Sequence, residues 1–504
     1  MKRNNLTTAV IAGIAGVAGI ASVSNAVNLN SDGVGQVLLY PYYTVNNDLN
    51  TLISVVNTTD QVKAVKVRFL EGLNSRECLD FNLYMSPYDV WTAALVPTAS
   101  TVSAFDGAFL GQPSVKLITN DNSCIAPNTV MGSTQEFLPF GYFNLNTGIY
   151  DNLGISLERC TEGHFEMIEM GSVVDTAAND DAASAVTHDS SGVPDDCSVV
   201  DANWDGGVWS GTPNDGLVAP DGSGGLFGSA TLLRVADGTS VSYNADAIQA
   251  YSLALQHTGP GDLAPSLATG SEDTSNVFFN GVVITDQWLD SNVEAVSAIY
   301  MHDHMYGEFE LSDDINAETE WVVTFPTKTF YIDPFVAFNL AGFASIPQQP
   351  FTRFIVYPPF VASNDSRIGR PACEPFAIER WDREEQQPPG GDLLPSPLPP
   401  GETGPVFCWE SNVLEFFDGD DTFGSSHILG SNNNMFVRPG FDAGWADVWF
   451  ATQFTDNNVL GRNYDGLPVT GFAVQKFVNG TLGGGSTLAN YSGLFAHRYS
   501  KNIN

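Results

Sequence analysis

Alternation of apolar and polar side chains dominates the chain. In Ala64–Phe69, Val65, Val67 and Phe69 fall on one side and Lys66 and Arg68 on the other, the period-two signature of a half-buried strand. Leu79–Met85 alternates in the same way, and Ser86-Pro87-Tyr88-Asp89 supplies a turn before the next run, Val90–Val96. Further strands are predicted at Val37–Val45, Leu52–Val56, Thr231–Val235, Val277–Ile284, Trp321–Phe325, Phe354–Tyr357, Ala446–Phe450 and Phe472–Val478. Helical spacing is scarce. Asn292–Tyr300 places Val293, Val296 and Tyr300 on one helical face, and the Ala-rich Asn244–Leu255 is the other candidate. Short strands separated by Gly, Pro, Asn and Asp turns predict an all-β protein of antiparallel β-sandwich domains, Ig-like or jelly-roll-like, with long loop insertions.

Two segments interrupt the strand rhythm. Val173–Gly225 is rich in Asp, Ala, Ser and Gly, and Glu384–Pro405 is rich in Pro and Gly; both read as long surface loops. The expected organisation is therefore a leader at 1–26, an N-terminal sandwich at 27–172, an acidic loop at 173–225, and a C-terminal β domain at 226–504 containing the insertion at 384–405. No fixed-period repeat is present, which argues against a solenoid or propeller.

The leader has the parts of a secretory signal. Lys2 and Arg3 precede a small-residue apolar stretch, Ala9–Val23, and Ser24-Asn25-Ala26 puts small residues where cleavage would occur. The mature chain is thus expected to be secreted, whether periplasmic, at the cell surface or extracellular. No later run resembles a transmembrane helix. The 28 Pro, the six Cys and the final Asn504 weigh against a membrane barrel.

Charge narrows the partners. Asp and Glu number 58 against 20 Lys and Arg, a formal net charge of −38, so nucleic acid and anionic membrane surfaces would be repelled. Solubility outside the cell, divalent-cation binding and a salty habitat are all compatible with such acidity. The six cysteines, Cys78, Cys124, Cys160, Cys197, Cys373 and Cys408, suit disulfides in an oxidising compartment. Spacing does not choose among the connectivities. Bracketing of the insertions favours Cys373–Cys408 and Cys160–Cys197, which leaves Cys78–Cys124.

Candidate chemistry is sparse. Asp201-Ala202-Asn203-Trp204-Asp205-Gly206 matches the start of a calcium loop, in which Asp201, Asn203 and Asp205 would converge on one ion. Thr212 stands where the closing bidentate acid belongs, and no flanking helices are predicted, so an Asp/Gly turn is the simpler reading. Calcium is the one cofactor suggested, and none is required. On a strand, His302 and His304 would share a face and could ligate zinc or copper, with Glu308 or Glu310 nearby. Surface histidines are the commoner explanation. Asp418-Gly419-Asp420-Asp421 reads as a solvated turn. Nucleophile elbows, phosphate loops and zinc-protease motifs are missing, so no catalytic residue is assigned. Trp204, Trp209, Trp445 and Trp449 could line a carbohydrate surface, and on a strand Trp445, Asp447 and Trp449 would share one face; tryptophan in a sandwich is more often core.

The segments Thr51–Thr59, Val65–Val90 and Glu320–Lys328 resemble patterns in uncharacterised exported β-rich proteins of Gram-negative bacteria. The resemblance implies an exported bacterial β protein and carries over no functional residues. The functional expectation is a secreted or cell-surface structural or interaction protein, adhesive or self-assembling. The alternatives are a secreted carbohydrate-active hydrolase or lyase and a non-catalytic glycan-binding module.

Overall fold

The computed structural model describes residues 26–504 apart from 104–106, 128–133, 144–152, 345–348, 352–371, 389–403, 420–423, 455–457, 483–484 and 486. Residues 1–25 of the expected leader, the expected strand Phe354–Tyr357, most of the Pro/Gly-rich insertion, and Asp420 and Asp421 lie outside the described residues.

The chain is mostly strand, and four large sheets carry it. An eight-stranded sheet runs in the order Asn28–Leu29, Asp246–Gln249, Val37–Thr44, Glu162–Val173, Val62–Glu71, Glu77–Met85, Cys124–Ala126, with Leu217–Val218 beside Glu162–Val173. It faces a six-stranded sheet ordered Thr239–Asn244, Leu226–Arg234, Leu49–Asn57, Val90–Ala99, Pro113–Ile118, Thr134–Glu136. Their shared core holds Val65, Val67, Phe69, Phe81, Phe165, Ile53, Trp91 and Leu232. Two five-stranded sheets follow. One is ordered Asn434–Val437, Ser411–Phe416, Ala317–Thr324, Thr470–Leu482, Thr487–Ala496; the other Val406–Phe407, Glu374–Asp382, Ala443–Phe450, His304–Glu310, Arg498–Ser500. Antiparallel pairing is the rule in these sheets, and Ser411–Phe416 with Asn434–Val437 is a parallel exception.

The alternating runs Ala64–Phe69, Leu79–Met85 and Val90–Val96 lie within the strands Val62–Glu71, Glu77–Met85 and Val90–Ala99. Ala317–Thr324 is buried on both faces: Trp321 and Val323 join the core beneath the last sheet, while Val322 joins the core of the first pair of sheets. Gly307 is required here, because a Cβ would stand 2.6 Å from the Trp321 ring.

Several expectations change. The domain boundary at 226 does not coincide with a sheet boundary, since Leu226–Arg234 pairs with Leu49–Asn57 and Asp246–Gln249 with Val37–Thr44, while Thr239–Asn244 extends the first of these sheets through Leu226–Arg234. Asn244–Leu255 contains the strand Asp246–Gln249 instead of a helix. Val277–Ile284 is a hairpin, Thr274–Phe279 with Val282–Gln287, turning at Asn280-Gly281 where both residues have positive φ. Asn292–Tyr300 is a helix as expected, started by a capping box between Ser291 and Glu294.

The acidic segment at 173–225 is not a loose surface loop. It folds into helices Ala182–Val186, Ser198–Trp204 and Val208–Gly211, and with Val62, Tyr84 and Met170 it builds a small core around the fully buried Trp209. The rest of that strand face is covered from elsewhere, Lys66 Nζ meeting Gly259 O and Arg68 sharing a small cavity with Leu263, Phe330 and Val336, which corrects the half-buried reading of Ala64–Phe69. Val62–Glu71 is buried along its whole length, and Lys66 and Arg68 face an ion-paired layer instead of water.

Three disulfides are formed: Cys78–Cys160, Cys124–Cys197 and Cys373–Cys408. The last is the expected pair, and the other two replace Cys160–Cys197 and Cys78–Cys124. The reason is sheet order. Cys78, on Glu77–Met85, and Cys160, just before Glu162–Val173, enter strands that flank Val62–Glu71 on either side. Cys124 lies on the edge strand against which Ser198–Trp204 packs, within reach of Cys197.

Candidate functional site

The outer face of the last five-stranded sheet gathers exposed aromatic and acidic side chains. From Trp445 on, Ala443–Phe450 alternates, with Ala446, Val448 and Phe450 in the core and Trp445, Asp447 and Trp449 outward. Trp445 is 39% and Trp449 47% exposed, values far from those of core tryptophans. Register then extends the face across four strands. Trp381 and Glu308 flank Trp445; Glu379 and Tyr306 flank Asp447, with Arg498 next to Tyr306; Ala377 and His304 flank Trp449, with Ser500 next to His304.

The rings are ordered. Trp381 and Trp445 stack with centroids 4.2 Å apart and planes 13° from parallel. His304, Tyr306 and Trp449 stand nearly parallel, with His304 5.7 Å from Tyr306 and 6.2 Å from Trp449. His304 Nδ1 lies 2.8 and 3.0 Å from the two Asp447 oxygens. A carboxylate only accepts, so Nδ1 carries the proton and donates to Asp447, which orients the ring. Glu308 and Glu379 are exposed, and of the three acids only Asp447 has an ion-pair partner among the described residues. Such a face offers apolar ring surface at the height of fixed acceptors, the combination that binds a ligand with C–H faces and hydroxyl or amine edges.

An acidic cleft of about 490 Å³ lies elsewhere, lined by Glu318, Glu320, Glu415, Asp418, His427 and Asp442 among others. Glu320 and Glu415 sit directly opposite on adjacent strands. Burial, with the charge of Glu415 beside it, pushes Glu320 up to about 8. Both carboxylates are already occupied. Glu320 accepts from Ile428 N at 2.5 Å, Leu429 N at 3.0 Å and Ser426 Oγ at 2.9 Å, while Glu415 accepts from His427 Nδ1 and from Asn434 Nδ2 at 3.2 Å. The pair secures the segment 426–431. A third concavity, a trough of about 810 Å³ over the six-stranded sheet, has a floor of Ser54, Thr92, Ser229 and Thr231 and is lined by no Trp, Tyr or Phe. Its acids Asp89 and Asp121 are spent on Ser123 and nearby backbone amides.

The other sequence candidates are placed differently. Asp201 and Asn203 lie on the helix Ser198–Trp204 and Asp205 caps it, so the alternating donors of a calcium loop are spread around a helix. The Asn203 amide donates to Asn179 O and Val199 O. His302 and His304 do not come together. Their strands are separate, and the buried His302 stacks on Tyr499 and meets Val469 O, while His304 joins the outer face. Among the described residues no group of three or more His, Cys, Asp or Glu is placed to hold a metal, and no helix is long and apolar enough to cross a membrane. Trp209 is core and Trp204 is half-buried, its indole donating to Tyr84 Oη at 2.8 Å.

Trp381, Tyr306, Glu379 and Arg498 are the members of the face that the sequence reading missed. The available signal was the alternation Ala377, Glu379, Trp381 through an otherwise inward-facing strand. No protein-family model, curated protein or solved structure matches the chain.

Proposed function

We propose that this is an exported surface interaction protein that binds a glycan on the outer face of its last sheet without processing it. The carrying observation is that Trp381, Tyr306, Trp445 and Trp449 share one solvent-facing surface with Asp447, Glu308 and Glu379. Three disulfides support an oxidising destination. Exposed, mutually stacked tryptophans bring no benefit to folding comparable to burial, and a ring surface supplied with acceptors suits sugar rings, which present C–H groups on their faces and hydroxyls on their edges.

Binding without turnover is favoured over hydrolysis. The facing acids of the cleft, Glu320 and Glu415, are committed to the segment 426–431, and Asp89 and Asp121 of the trough to Ser123 and nearby amides. The test is a glycan array probed with the purified protein, with bound oligosaccharides recovered and analysed for cleavage. Retention of intact oligosaccharide is the expected result. Release of shorter products would move the protein to the hydrolases, and an array with no bound glycan would overturn the proposal.

A further inference from the structure

Resting on that reading, we infer that the glycan is cationic, a linear polymer of amino sugars whose ammonium groups are held between the rings and carboxylates of this face. The rows of the face carry the argument. Running along Ala443–Phe450, a ligand crosses Trp445 beside Trp381 and Glu308, then Asp447 beside Glu379, then Trp449 beside His304. Four residues of strand separate the two tryptophans by about 13 Å, so a bound chain covers several sugar rings. Carboxylates thus lie beside Trp445 and between the two tryptophans.

Charge complementarity selects the ligand. Glu308, Glu379 and Asp447 face one arginine, Arg498, across the sheet, and the chain as a whole is acidic at 58 to 20. Glu308 and Glu379 are exposed with no basic partner beside them in the register, since their cross-strand neighbours are Trp445 and Asp447. A uronic-acid polymer would be repelled, and a neutral glycan would leave this charge unanswered. An ammonium is attracted both by the faces of tryptophan and tyrosine and by a carboxylate, and here Glu308 has Trp445 and Asp447 has Tyr306 as its cross-strand neighbour, while Glu379 stands two residues from Trp381 on its own strand.

Isothermal titration of the full protein at pH 6 tests this with three probes: a fully deacetylated glucosamine hexamer, its N-acetylated counterpart, which keeps the backbone and loses the charge, and an alginate oligomer. The deacetylated hexamer is expected to bind about tenfold or more tighter than the acetylated one at low salt. That advantage should shrink at 0.5 M salt, on the order of the screening expected for exposed charges, and alginate should not bind. Glu308→Gln with Glu379→Gln should remove the preference, bringing the affinities of the two hexamers to within about twofold of each other. Trp445→Ala with Trp449→Ala, which keeps the net charge, controls for attraction by bulk acidity and should abolish binding of the hexamer. Equal or tighter binding of the acetylated hexamer overturns the cationic preference while leaving glycan binding intact. Deacetylated hexamer binding that survives the tryptophan substitutions overturns the inference as bulk electrostatics. Binding of none of the three, with a blank glycan array, removes the glycan reading itself.

Discussion

Arg68 is held between two acids. Its Nε lies 2.5 Å from a Glu77 oxygen and its Nη1 pairs with Glu166, all three side chains being almost fully buried. Desolvation raises both carboxyl groups and the guanidinium charge opposes it, so the layer stands only while the cation is present. Arg68→Ala should therefore cost about 3–5 kcal/mol, seen as a lower urea midpoint, whereas an unchanged midpoint would mean that the layer is neutralised in another way. Glu320 makes a pH-dependent contribution of the opposite kind. Its folded pKa, about 8, lies above the ordinary 4.5, so the folded state binds the proton more tightly than the unfolded chain. Stability from this group is then full below the ordinary value and falls as pH rises towards 8. Glu320→Gln should flatten the decline in melting temperature between pH 5 and 8; an unaltered slope would assign the decline to other groups.

Among the elements, the segment 173–225 shows most clearly where pattern reading stops. Its helices are short, its composition resembles a linker, and its order comes from contacts far away in sequence: Trp209 stacks on Tyr84, the Tyr84 hydroxyl lies 2.8 Å from His257 Nε2, and Cys197 is tied to Cys124. None of these pairings leaves a local signal. Cover from other distant segments, Gly259 at Lys66 and Leu263, Phe330 and Val336 beside Arg68, explains why these two read as solvent-facing, since alternation reports two different faces without reporting what covers the second. Asn292–Tyr300 was readable because its start, spacing and length are all local. The outer face of the last sheet lies between these cases: Trp445, Asp447 and Trp449 follow from one strand's alternation, while Trp381, Tyr306 and Glu308 join them only through register. Replacing Cys124 and Cys197 together by Ser opens a link across 73 residues, and the chain-entropy relation predicts a loss of about 4 kcal/mol. Denaturant unfolding checks the size, and hydrogen exchange should show amides of 182–211 losing protection first; unaltered protection there would mean that packing on Tyr84 suffices.

Of the four large sheets, two are buried in their central strands and one shows a chemically distinctive side to solvent. The eight-stranded sheet and the sheet containing Ala317–Thr324 are covered on both sides in their central strands, which fixes the outer five-stranded sheet as a rigid platform. Strands hold side chains at set spacings, so the rings need no reordering to receive a ligand. A net charge of −38 sets the sign of what the molecule attracts. The most direct test of this account is the affinity of the protein for the oligosaccharide its array selects, measured beside Trp445→Ala/Trp449→Ala, with circular dichroism to establish that both are folded. The account predicts a loss of at least about tenfold in the folded variant; a folded variant that binds as tightly as the unaltered protein would contradict it.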